Sequence, residues 1–123
     1  MKIKKIKIIE VHHSSILNFH AKQTHQLALV KDILIHINPK ELDKVYDLLY
    51  KATTQYICIA EYYNPTPTEI LSRGNKGFLI KRDFCGELLN KYKDLILVKY
   101  GLNYHRDPVF PQDDITWFLL EKK

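Results

Sequence analysis

Apolar side chains occur along the chain in five short runs that each predict a β-strand. Residues 27–30 and 56–60 form continuous apolar runs, and the second is apolar on both faces, as is typical of a central strand in a parallel sheet. The other predicted strands are residues 6–12, 95–100 and 115–120. Residues 33–37 fit either a strand or a helix.

Helical periodicity is clearest after residue 37. Asn38, Pro39 and Glu41 provide an amide N-cap, a proline at the first helical position and a carboxylate at the third. The apolar positions that follow recur every three or four residues and predict one buried helix face, formed by Leu42, Val45, Tyr46, Leu49 and Tyr50. A second helix is predicted after Asp83, which serves as its cap.

The order of these elements is strand, strand, helix, strand, helix, strand, strand. Residues 66–76 and 103–113 contain prolines and predict loops. This alternation predicts an α/β layered fold with a mainly parallel sheet. Because such sheets bind ligands beyond the carboxyl ends of their strands, residues 12–18, 31–36 and 61–64 are expected along one rim.

Glycine is scarce in this chain of 123 residues, whose length fits one domain. The four glycines are all in the later part of the chain, and none occurs in the first 73 residues. This distribution excludes a glycine-rich phosphate-binding loop from the first half of the sequence.

The positive charge is concentrated at the amino terminus. The formal net charge is +5, and subtracting the four lysines Lys2, Lys4, Lys5 and Lys7 leaves +1. Nucleic-acid binding is therefore disfavoured, since it normally requires a wider basic patch. An alternative remains that the chain is a small non-enzymatic module that binds an acidic partner through these lysines.

The cysteine and histidine patterns exclude several other classes. Cys58 and Cys85 form no CxxC pair and no secretory signal precedes them, which indicates buried thiols in a cytoplasmic protein. The six histidines do not show the spacing of a zinc site, so no bound metal is expected. No apolar run approaches the roughly 20 residues of a membrane span.

Several polar residues are candidates for chemistry at the rim. His36 lies between two isoleucines, and is either a half-buried structural histidine or a group that accepts a proton from a substrate. The polar residues 61–64 follow a buried strand and either bind a ligand or cover the sheet edge. Arg82 belongs to a basic cluster that is either a solvated loop or a site for an acidic substrate group, and His105 lies in a polar loop that can face the same rim.

Four segments together resemble the methyltransferases associated with pseudaminic acid biosynthesis. They are residues 34–39 (LIHINP), 59–67 (IAEYYNPTP), 81–84 (KRDF) and 110–118 (FPQDDITWF). Residues 15–19 are similar to the segment after the third strand of that family. Its members are class I, S-adenosylmethionine-dependent enzymes with a Rossmann-like sheet. Gln26 and Asn18 depart from the family pattern, which has acidic residues at these two places.

The resemblance implies a partial Rossmann-like class I methyltransferase sheet. Residues 1–12 resemble the family's third strand, and its first two strands and glycine-rich loop have no counterpart. Residues 1–123 are therefore expected to form a single partial methyltransferase domain, inactive unless an amino-terminal piece completes it. The strand at residues 27–30 would then have a free edge, which favours pairing with such a piece or with a second copy.

The resemblance also implies roles for individual residues. The cofactor, S-adenosylmethionine, would contact Ser15 and Ile16 at its adenine and Lys31 and Asp32 near its methionine part. The catalytic candidates are His36 and Glu61. The small-molecule substrate, expected to be a sugar acid, would contact five residues: Tyr62, Tyr63, Asn64, Arg82 and His105.

Overall fold

The computed structural model describes residues 9–71 and 78–123. The helices are α1 (Leu42–Ala52) and α2 (Phe84–Lys91), and short 3₁₀ turns occur at Ile16–Asn18, Leu34–His36 and Pro39–Glu41. The strands are β1 (His25–Lys31), β2 (Thr53–Glu61), β3 (Thr68–Leu71), β4 (Phe78–Lys81), β5 (Leu95–Asn103) and β6 (Ile115–Lys122).

Four strands form the main sheet, in the order β1-β2-β6-β5. The β1–β2 pair is parallel, and β6 is antiparallel to both β2 and β5. The prediction of a mainly parallel sheet is therefore correct for strand direction, since β1, β2 and β5 run the same way. It is wrong for the pairing, because β5 and β6 are joined by a loop without a crossover helix, which makes them antiparallel neighbours.

Both helices pack on the same face of this sheet. Val45 and Tyr46 from α1 and Leu88 from α2 join one buried cluster with Ile57 and Ile59 of β2. Alternation along β1 turns Ala28 and Val30 toward this cluster. Leu27 and Leu29 point to the other face, where they are 52% and 62% exposed.

The predicted helix starts are confirmed by their capping bonds. The side chain of Asn38 accepts a 3.0 Å hydrogen bond from the backbone N–H of Lys40. Residues Pro39–Glu41 then form a 3₁₀ turn that leads into α1. Asp83 accepts a 2.9 Å bond from the N–H of Gly86 and caps α2.

Three predicted elements differ from the structure. Residues 9–12, the described part of the predicted first strand, form no strand; a strand needs a neighbour for its backbone bonds, and none pairs with them here. Residues Thr68–Leu71, predicted as loop, pair with Phe78–Lys81 in a small antiparallel sheet that starts just after the proline-containing turn. Strand β5, predicted to end at residue 100, continues through Gly101 to Asn103, and the ring of Trp117 lies in the space that a side chain at position 101 would fill.

Candidate functional site

The carboxyl ends of β1, β2 and β5 meet at one edge of the sheet, which we call the rim. The last residue of β1, Lys31, is aligned with Ala60, and Glu61 at the end of β2 is aligned with Thr116. Asn103 ends β5 opposite Ile115, the first residue of β6. The loops that follow these strand ends therefore emerge side by side, as the sequence predicts for residues 31–36 and 61–64.

Glu61 lies beneath the loop that follows β1. Its side chain points to the helical face, as Ile57 and Ile59 do, and the residue is only 2% exposed. One carboxylate oxygen accepts a 3.0 Å hydrogen bond from the N–H of Ile33, and the other accepts a 3.0 Å bond from the N–H of Ile35. Burial raises the pKa of Glu61, and these backbone donors oppose that shift.

Asp32 and His36 lie above Glu61 on the solvent side of the same loop. Asp32 has a φ of 51°, in the left-handed region, and its N–H donates a 3.0 Å bond to the carbonyl of Ala60. Its Oδ1 is 3.6 Å from Nε2 of His36, and both side chains are about half exposed. The rim therefore presents an imidazole beside a carboxylate, within reach of a solvent-borne ligand.

Tyr62 connects this loop with the loop between β5 and β6. Its hydroxyl donates a 3.4 Å hydrogen bond to Oδ2 of Asp113, and Nζ of Lys81 is 5.7 Å from the centre of its ring. Burial raises the pKa of Tyr62, and the charges of Asp113 and Asp32 raise it further. The sequence allows the polar residues 112–114 to face this rim but gives Asp113 no role of its own.

The side chains of Tyr63 and Asn64 both contact neighbouring residues of the protein. The ring of Tyr63 packs against Phe118 with a centroid distance of 5.8 Å. The side-chain amide of Asn64 donates hydrogen bonds to the carbonyl of Thr66 and to the hydroxyl of Thr68, which shapes the turn before β3. Of the predicted polar cluster, Glu61 and Asn64 thus hold loops in place, while Tyr62 faces the charged rim.

Arg82 and His105 are each paired with a carboxylate. Nε of Arg82 lies 2.6 Å from Oε2 of Glu87, so this part of the guanidinium is directed at α2. Nδ1 of His105 lies 2.9 Å from Oδ2 of Asp114, whose other oxygen accepts the N–H of His105. These bonds lower the pKa of Asp114 and close the loop between β5 and β6.

Ser15 and Ile16 belong to a different element from Lys31 and Asp32. Ser15 caps the first 3₁₀ turn by accepting a 3.2 Å bond from the N–H of Leu17, and this turn packs against α1. Ile16 borders a cavity of about 680 Å³ between this segment, β1 and the end of α1, and Lys31 and Asp32 lie outside that cavity. The predicted adenine and methionine contacts are thus carried by separate elements.

Residues 9–71 and 78–123 contain neither a metal-binding cluster nor a membrane-spanning helix. This part of the chain holds no group of three or more His, Cys, Asp or Glu side chains placed to bind a metal ion. Neither helix in it has the length and apolar character needed to cross a membrane.

Solved structures with a similar fold include two methyltransferases. One is a SAM-dependent methyltransferase of the DUF858 family from Leishmania major, with 16% identity and a TM-score of 0.61 over 87% of this chain. The other is magnesium protoporphyrin IX methyltransferase from Synechocystis with bound SAH, with 9% identity and a TM-score of 0.59 over 89% of this chain.

The matches cover 43% and 49% of those two proteins, so the chain spans less than half the length of each. No protein-family model and no curated protein sequence matches it. At these identities the likeness concerns the fold alone: the mixed α/β sheet described above matches part of the sheet of those two methyltransferases.

Proposed function

We propose that the chain is the carboxy-terminal part of an S-adenosylmethionine-dependent methyltransferase and that its rim binds the methyl acceptor. The observation that carries this proposal is the Asp32–His36 pair, held at the carboxyl ends of β1 and β2 in a sheet of methyltransferase fold. In open α/β sheets this edge is where ligands bind.

The charges near Tyr62 fit a cationic cofactor. S-adenosylmethionine supplies an electrophilic methyl group on a positively charged sulfonium. Asp113 accepts the hydrogen bond of Tyr62, and the charges of Asp113 and Asp32 both raise the pKa of its phenol, which supports a cation near these carboxylates. We assign Lys31 and Asp32 to the methionine part of the cofactor, and Ser15 and Ile16 to the adenine.

His36 is the proposed proton acceptor for the substrate's nucleophile. Its imidazole is half exposed and lies 3.6 Å from a carboxylate that would stabilise the protonated ring. The remaining contribution of the protein is to align the nucleophile and exclude water. Glu61 was the other candidate acceptor, but both of its oxygens already accept backbone hydrogen bonds.

The proposed substrate is a sugar acid of the pseudaminic acid type, as used in surface glycans. Support comes from the sequence resemblance and from Lys81, whose ammonium lies beside Tyr62 and can attract a carboxylate. Within this proposal Tyr62, Tyr63, Asn64, Arg82 and His105 contact the substrate, with Arg82 and His105 exchanging part of their present carboxylate pairing for it.

Activity is proposed to require an amino-terminal piece that adds the glycine-rich loop and the strands beyond β1. Support comes from Leu27 and Leu29, whose exposure on β1 leaves apolar surface beside a strand edge. Pairing with a second copy would cover the same edge. We place the protein in the cytoplasm, where the cofactor and free thiols are found together.

Calorimetry and co-expression test this function. The isolated chain should show no micromolar binding of S-adenosylmethionine, whereas a complex with a glycine-loop half-domain should bind it and methylate a nonulosonic acid. In that complex His36→Asn should lower kcat by about 10²–10⁴-fold. His13→Asn, at an exposed histidine before the Ile16–Asn18 turn, is the matched control and should retain activity. Tight binding by the chain alone would contradict the need for a second piece.

The alternative function is the basic binding module. Lys2, Lys4, Lys5 and Lys7 lie outside the described residues, so no contact favours it. It requires binding to an acidic partner that weakens steeply with salt and is lost when these lysines are neutralised. The methyltransferase proposal instead expects neutralisation of these lysines to leave cofactor binding by the complex unchanged.

A further inference from the structure

We propose that Glu61 is a positioning residue: it holds the loop after β1 in the one path that places Asp32 beside His36, and it exchanges no proton with substrate. The inference refines the proposed function, on which it rests for the role of His36. Its structural part concerns only the loop and stands without any assigned reaction.

Burial and two backbone hydrogen bonds keep the Glu61 carboxylate away from a ligand in solvent. Its two oxygens accept the N–H groups of Ile33 and Ile35, both at 3.0 Å, and the residue is 2% exposed. A substrate could reach the carboxylate only after the Leu34–His36 turn had moved away. A group in this setting acts through the backbone that it binds.

The bonded backbone needs such support. Asp32 adopts φ 51°, which costs a non-glycine residue on the order of 1 kcal/mol. The chain then turns so that the N–H groups of Ile33 and Ile35 point toward the carboxylate of Glu61. Without the carboxylate the buried N–H of Ile35 would lose its acceptor and the part-buried N–H of Ile33 would have to turn to solvent, so Glu61 stabilises the reversal of the chain.

The same reversal sets the position of His36. The backbone bound by Glu61 starts the 3₁₀ turn Leu34–His36, and the last residue of this turn is His36. Asp32 precedes the turn and is four residues before His36 in the chain. Because Glu61 binds the backbone between Asp32 and His36, loss of its carboxylate should change their separation while leaving both side chains in the protein.

NMR of the whole chain tests the inference without any assay of activity. If Glu61 holds the loop, the Ile33 and Ile35 amide resonances and the Glu61 carboxyl carbon should titrate together. Their common midpoint should lie above pH 4.5, because burial raises the pKa of Glu61. The charge of Asp32 also raises this pKa, so the titration of an Asp32→Asn variant checks that the observed carboxyl signal belongs to Glu61. A Glu61 titration that leaves both amides unmoved would overturn the proposal.

Variants separate positioning from general stability. Glu61→Gln should abolish the amide titration and move the His36 ring resonances. Glu87→Gln is the matched control, because the Glu87 carboxylate on α2 also accepts one hydrogen bond at each oxygen, from Tyr46 and from Arg82. This variant should leave the titration of the Ile33 and Ile35 amides intact. If Glu61→Gln does not fold, the wild-type titration alone still decides.

Kinetics of the completed enzyme separate this inference from the proposed function. Glu61→Gln should lower kcat with little change in KM for the cofactor, and the acidic limb of the pH–rate profile should persist. Loss of that limb would make Glu61 a proton acceptor and refute the inference. Absence of methyl transfer by the wild-type complex would refute the proposed function, while the amide titration would still judge the role of Glu61.

Discussion

The hydroxyl of Tyr46 on α1 donates a 2.7 Å hydrogen bond to Oε1 of Glu87 on α2. Arg82, just before α2, binds the other oxygen of the same carboxylate at 2.6 Å. Burial, together with the hydrogen bond and charge of Glu87, raises the pKa of Tyr46 so that the phenol stays protonated as the donor. This partly buried link joins both helices on the covered face of the sheet.

Removing the Tyr46 hydroxyl should therefore weaken the helix layer. We expect Tyr46→Phe to lower the free energy of unfolding by about 1–3 kcal/mol, as for a bond to a charged acceptor. Urea denaturation followed by circular dichroism measures the change. Tyr100→Phe is the control, because Tyr100 is 65% exposed, and it should stay within about 0.5 kcal/mol of wild type. Equal effects of both variants would contradict the assigned link.

Gly101→Ala tests the packing of β5 against β6. A Cβ at this position would lie 2.6 Å from Cζ2 of Trp117, so the indole must shift. We expect a loss of about 1–3 kcal/mol in the free energy of unfolding. The double variant with Trp117→Leu should lose less than the sum of the single variants, because the clash is gone. Additive losses would show that the indole does not lie over Gly101.

The raised pKa of Glu61 predicts a definite pH dependence of stability. Its folded-state pKa lies above the ordinary value of 4.5, so between these two values the folded state binds more protons than the unfolded state. Stability should therefore fall as pH rises through that window, relative to Glu61→Gln. Denaturation midpoints of both proteins from pH 4 to 8 measure the difference. A difference that grows in favour of wild type with pH would contradict the burial cause.

Thiol labelling tests the difference between the two faces of the sheet. Burial, with a smaller contribution from Asp83, raises the pKa of Cys85 to about 12, and this cysteine, the second residue of α2, belongs to the buried core. Because thiolate is the reactive form, Cys85 should resist iodoacetamide at pH 8 until the protein unfolds. The partly exposed Cys58 should react faster. Peptide mass spectrometry measures both rates, and equal rates would contradict this arrangement.

Much of the local structure was predictable because its causes are local. The Asn38 and Asp83 caps each act over two or three residues, and the predicted helices begin where those caps are. The order of β5 and β6 in the sheet could not be predicted from such local signals. It depends on β6 entering between β2 and β5, and a short apolar run is equally suited to either partner.

The candidate site divides similarly. Residues 31–36 and 61–64 were expected at one rim, because parallel strands end at the same edge. The individual roles were not visible: Glu61 was a candidate base, yet its carboxylate accepts N–H groups 26 and 28 residues away. A polar residue after a strand has the same pattern whether it faces solvent or the loop above it.

The sequence by itself determined the two helices and their starts, the four strands of the main sheet, and that polar residues gather at one rim. These properties follow from apolar periodicity and capping within a few residues. Only the tertiary structure decided that both helices share one face, that β6 runs against its neighbours, and that Glu61 lies beneath Asp32 and His36. Each of these depends on backbone and side-chain contacts between segments far apart in the chain, where hydrogen bonding and burial select among arrangements that the local pattern leaves equivalent.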